Sequence, residues 1–117
     1  MNKLNYFAIP GMQNTTSLQP EYILQTLCDK FKIPESLIKS PSRKQEIKDC
    51  RQVYMICAWI FSSYSSAYIG NVVNRDHATV VHARRLYNLD NTLKELVDEC
   101  INLFNLSKKE NYDIRDY

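Results

Sequence analysis

The chain has 117 residues, 44% of them hydrophobic, and a formal net charge of +2. That length suits one domain with a core of its own, and the apolar content excludes an intrinsically disordered chain. Two glycines, four prolines and no alternating β-branched runs favour an all-α fold, and the longest apolar run, Val53 to Phe61, is far short of the roughly 20 residues a membrane span needs.

Residues 1–19 have the composition of a linker, with Pro10, Gly11, Asn14, Thr15, Thr16 and Ser17, yet Tyr6, Phe7, Ile9 and Met12 are apolar enough for part of this arm to pack. A lone Lys3 followed by Asn5 and Pro10 is no secretory signal, so the expected location is the cytoplasm. Pro20 suits a first helical turn, and Tyr22, Ile23, Leu27 and Phe31 line one side of a helix from about Pro20 to Phe31. Ile33 and Pro34 break it, and Glu35 to Lys39 adds one further turn. After the loop Ser40-Pro41-Ser42, a long central helix is expected from about Arg43 to Ser63, apolar over much of its girth. Trp59, in that helix, reads as a core or edge residue. Asp90 is the expected cap of a last helix from Asn91 to about Asn105, with Leu93, Leu96, Val97, Cys100, Leu103 and Phe104 as its stripe. A frayed polar tail is expected over 107–117, in which Tyr112, Ile114 and Tyr117 are candidates to dock on a partner. The domain proper is then 20–106.

Between the central and last helices lies the most informative stretch. Ser66 to Asn74 reads as a short helix and a tight turn, in which Gly70 permits close packing or a turn and Asn74 tolerates the left-handed conformation. Asp76 is a good N-cap for the helix that follows, whose body carries Val80, Val81, Ala83, Leu86 and Tyr87. His77, Ala78 and Thr79 occupy its first turn. A short helix, a turn and a longer polar-nosed helix form a helix-turn-helix pattern, in which the first turn of the second helix faces base edges.

The run Arg75-Asp76-His77-Ala78-Thr79-Val80-Val81-His82-Ala83 resembles the signature RDHTTV-x-HA of the C-terminal DNA-binding domain of the bacterial replication initiator DnaA. Tyr68-Ile69-Gly70 is similar to that family's EIG, and Arg51-Gln52 to its RQ on the preceding long helix. The likeness runs from about Leu27 to Leu89. It implies a compact, Trp-repressor-like bundle of about five to six helices, here as a stand-alone domain. It also implies a basic loop at Arg43 and Lys44 that lies along DNA, a phosphate contact at Arg51 beside Gln52, and reading by Arg75, Asp76, His77 and Thr79. Three departures from the family pattern stand out. Ala78 replaces a threonine, Asn74 stands where the family has Gly-Gly, and Pro41, Ser42, Glu46 and Asp49 thin the basic loop.

Charge is distributed to match. Residues 39–89 hold eight cations against three anions, whereas residues 90–117 hold four against seven. Phosphate contacts therefore have their donors around the motif. Arg84 and Arg85 read equally as phosphate contacts or as a solvated face, and Arg84 joins the candidate DNA-binding set. His82 reads as structural.

No enzyme is expected. The only glycines are Gly11 and Gly70, so the phosphate-binding loop of an ATPase is absent from this sequence, and no nucleophile–base arrangement is visible. Cys28, Cys50, Cys57 and Cys100 are widely spaced and read as buried thiols. With His77 and His82 five residues apart, they offer no close-spaced ligand pairs, so neither a metal nor another cofactor is expected. The expected function is double-stranded DNA binding at a short, DnaA-box-like site, with a homodimer or a replication protein as a further partner and no membrane. The alternative is a protein-interaction module of the same fold that has lost specific reading.

Overall fold

A computed structural model of the protein describes residues 17–116, with side chains through Asn105. Tyr6, Phe7, Ile9 and Met12 of the N-terminal arm lie outside the described residues, as do the side chains of Tyr112, Ile114 and Tyr117. Among the described residues six helices follow one another: α1 (Pro20–Phe31), α2 (Glu35–Ile38), α3 (Gln45–Phe61), α4 (Ser66–Val72), α5 (His77–Leu89) and α6 (Asn91–Asp116). The described residues contain no strand. The all-α bundle of five to six helices with a helix-turn-helix is the fold observed.

The core is organised by α3. Every residue from Val53 to Ala58 is buried, as are Ile47, Cys50 and Phe61, so this helix is apolar nearly all round. It touches each of the other five helices. Around it, α1 contributes Ile23, Leu24, Leu27 and Cys28, α4 contributes Ile69, α5 contributes Val80 and Ala83, and α6 contributes Leu93, Val97, Cys100 and Phe104. The α6 spacing of three and four residues is that of one helix face, and Phe104 meets the Phe61 ring at 5.3 Å. The fully buried Tyr54 donates its hydroxyl to the Ile69 carbonyl at 2.9 Å, which fixes α4 on α3.

Helix ends follow local chemistry. The left-handed Lys32, with φ 58°, closes α1 by turning its N–H back to the Cys28 carbonyl. Lys44 and Ser62 are extended, so α3 is shorter at both ends than the expected Arg43–Ser63, and Arg43 and Lys44 belong to the loop. The Ser65 hydroxyl accepts from the Tyr68 N–H and caps α4. Asp90 caps α6 through the Leu93 N–H. The last helix runs to Asp116 rather than ending near Asn105. Before α1, the Leu18 N–H donates to the Phe61 carbonyl at 2.9 Å, which seats the incoming chain on the end of α3.

All four cysteines are free and buried. Burial pushes the thiols up, to about 11 for Cys28 and Cys100 and about 12 for Cys50, so they stay protonated and inert at neutral pH. Among the described residues no group of three His, Cys, Asp or Glu side chains is placed to hold a metal ion, and no helix is long and apolar enough to cross a membrane.

Candidate nucleic-acid interface

The interface is built around the loop between α2 and α3, whose carbonyls face inward. Arg51 reaches it from α3, where it is only 6% exposed. Its Nε donates to the Ile38 carbonyl at 2.9 Å, and its Nη2 to those of Ser40 and Ser42 at 3.1 and 3.2 Å. Arg75, in the turn before α5, donates from Nη2 to the same Ser40 carbonyl at 2.9 Å, and from Nη1 to Val73 and Asn74. The Asn74 amide donates to the Lys39 carbonyl at 3.0 Å. Two guanidinium groups and one carboxamide, from two separate elements, thus hold a single loop. Burial, and then the like charge of Arg75, pull the Arg51 pKa downward.

With the carbonyls turned in, the cations of this region surround an open cleft of about 650 Å³. Lys39, Arg43, Lys48, Arg51 and Arg75 line it with Pro41, Ser42 and Asn74, and among the described residues no carboxylate does. A concavity lined by charges of one sign concentrates the field and attracts anions. Lys48 and Arg51 are three apart on α3, one helical turn, and that spacing was the available signal for adding Lys48 to the site. Lys39 and Asn74, both of which line the cleft, carry no comparable mark in the sequence.

The cleft leads through Arg75 directly into the first turn of α5. Gly70 makes the close approach there possible, because a Cβ on it would meet the carbonyl oxygens of Arg75 and Asp76 at 2.7 and 2.8 Å. Asn74 supplies the tight reversal, with φ 60°. Asp76 caps α5: its Oδ1 accepts from the Thr79 N–H at 3.0 Å and from the Thr79 hydroxyl at 2.9 Å. Those two bonds, the backbone one first, hold the Asp76 carboxyl below its usual range. His77 and Ala78 stay exposed at the helix nose, whereas Thr79 is half-buried with its hydroxyl turned back on the cap.

The site residues expected from sequence therefore divide. Arg43, Arg51 and Arg75 come together at the cleft, beside Asp76, His77 and Ala78. Arg51 and Arg75, expected on DNA, spend donors on the protein's own carbonyls while their charge remains at the cleft wall. Lys44 is exposed just beyond, and its N–H donates to the Ser42 hydroxyl. Gln52 faces a different hollow, with Gln45, Asp49, Leu86 and Leu93. Arg84 lies over the Trp59 ring at 4.2 Å, with its Nε buried and without a hydrogen-bond partner among the described residues. It is packed against α3 rather than extended from a solvated face.

The sequence that builds this site is similar to those of known proteins. Residues 20–86, more than half of the chain, match the family described as bacterial dnaA protein helix-turn-helix. The chromosomal replication initiator protein DnaA of Bacteroides thetaiotaomicron is 37% identical over 70 residues, covering 59% of this chain and 15% of that protein. Those of Flavobacterium psychrophilum and Pseudothermotoga lettingae are 33% identical over 84 residues and 30% identical over 86, covering 68% and 73% of this chain. The chain spans only 15 to 19% of the length of these relatives. The match takes in α1 through most of α5, including the cationic loop, the left-handed turn and the capped helix nose, and the chain belongs to the bacterial DnaA helix-turn-helix family.

Proposed function

We propose that this chain binds double-stranded DNA, with the first turn of α5 in the major groove and the cationic loop against the backbone. The observation that carries this reading is continuity. Five cations line one cleft, and the last of them, Arg75, leads straight into an exposed, capped helix nose. Arg43, Lys44 and Lys48 supply phosphate contacts. Arg51 and Arg75 act chiefly by shaping the loop and adding charge. His77 donates to a base edge, and the Ala78 methyl meets an apolar base group such as a thymine methyl. Asp76 and Thr79 position that turn through the cap. Gln52 and Arg84 are peripheral. The bound site is a short, DnaA-box-like sequence, and no ATP hydrolysis takes place in these residues.

Fluorescence anisotropy with a DnaA-box duplex and a scrambled duplex, across a salt series, tests this. Tighter binding to the box is expected, with affinity falling with salt at a log–log slope of about −3 if three or four phosphates are neutralised. His77→Ala is expected to lower the preference for the box about tenfold with little change in that slope. Equal affinity for both duplexes overturns sequence reading. No binding at low salt favours the second reading, a protein-interaction module, which the internal engagement of Arg51, Arg75 and Thr79 motivates.

A further inference from the structure

We propose that Asn74 is a positioning residue that ties the recognition-helix turn to the cationic loop, so that both meet DNA in a preset relation. The inference rests on the DNA-binding reading above and deepens it. Asn74 holds a left-handed conformation that glycine would adopt without strain. Conformation alone therefore does not account for a side chain here. What the carboxamide adds is a donor, and it goes to the Lys39 carbonyl, 35 residues away in sequence. Lys39 is the C-cap of α2, where the outgoing carbonyls have no partner inside the helix.

The next residue on each side repeats the contact, Arg75 to the Ser40 carbonyl. Two successive residues of the turn thus grip two successive residues of the loop, while Arg51 holds the loop from α3. Arg43 lies three residues beyond Ser40, and the Asp76 cap lies two beyond Asn74. The tie therefore fixes the spacing between a backbone-contacting cation and the reading turn. A loop without it has to be ordered during binding, and that ordering is lost from the affinity. Asn74 separates this role from charge better than Arg75 does, because Asn74 is neutral and its removal leaves the cationic cleft with the same charge.

The test is a cycle of Asn74→Gly, Arg43→Ala and the double variant, measured by anisotropy on the DnaA-box duplex, with thermal unfolding as the control for folding. Asn74→Gly keeps the backbone conformation and is expected to weaken binding about fivefold. Arg43→Ala is expected to weaken the wild type about tenfold but the glycine variant only about twofold, because an untied loop no longer delivers that cation. In the DNA-free protein, amide exchange at Ser42 and Lys44 is expected to speed up in Asn74→Gly. Equal Arg43→Ala factors in both backgrounds, or unchanged exchange in the loop, overturn the proposal. A wild type that binds neither the box nor a scrambled duplex overturns the DNA reading and this role with it, whereas additivity in a wild type that binds overturns this role alone.

Discussion

The body of α3 and its first two turns are held by different physics. From Val53 to Ala58 the helix is surrounded by apolar side chains from four other helices. That stabilisation is non-directional and spread over many contacts. At Arg51 the interior contact is instead a charged fork set against backbone carbonyls, and the loop there depends on Arg51, Asn74 and Arg75. Stability in the first region is shared among many residues. Geometry in the second is concentrated in a few, and these adjoin the cationic cleft. The two regions should therefore respond differently to single substitutions.

Gly70→Ala is expected to have the largest effect, because it strikes where the two regions meet. The atoms its methyl would hit are backbone oxygens of Arg75 and Asp76, which cannot rotate away. A loss of about 2–3 kcal/mol is expected, seen as a drop in thermal midpoint on the order of 10 °C, together with weakened DNA binding. A variant of wild-type stability would show that α4 and α5 separate more easily than their packing implies.

Arg51→Ala comes next. It strips donors from the Ile38 and Ser42 carbonyls and leaves Ser40 to Arg75 alone. Denaturant unfolding should show a loss of about 2 kcal/mol, and Arg51→Lys should recover little of it, since one ammonium cannot reproduce the fork. Full recovery by lysine would mean that charge, rather than directed bonding to the loop, is what matters at this position.

The smallest effect is expected from acid. The Asp76 carboxyl is held below its ordinary range by the Thr79 backbone bond and then by the Thr79 hydroxyl. A depressed carboxyl contributes stability above its unfolded pKa of about 4, and that contribution is lost as pH falls through the lower folded value. Protection of the Thr79 amide, its exchange rate measured against the intrinsic rate at each pH, should therefore fall as the solution is acidified below that range, before the buried amides of α3 respond. Simultaneous loss of protection at both would erase the distinction between an exposed cap and a shared core.

Much of this was legible in the chain itself. The helices, the apolar girth of α3, the Asp76 cap and the role of Gly70 all follow from periodicity and local chemistry, which act over a few residues. The same is true of the left-handed Asn74, because asparagine is one of the few residues that tolerates that conformation. The boundaries were less legible. Lys44 is extended, so the central helix starts at Gln45 rather than near Arg43, with both cations in the loop that the resemblance implied, and α6 runs on past Asn105.

Which donors serve the protein and which are left for a ligand was decided only by tertiary structure. Arg43 and Arg51 are both arginines near the start of one helix, and nothing local separates an exposed cation from one that is 6% exposed and bonded to three carbonyls. Their difference arises because the α2–α3 loop folds over Arg51, and because the turn at Asn74 and Arg75 arrives from 35 residues away to hold it there. The motif carries the family, and short-range forces suffice for the helices and for the caps at Asp76 and Asp90. The division of labour among the cations came from long-range packing, which brings carbonyls to some guanidinium groups and leaves others at the cleft wall.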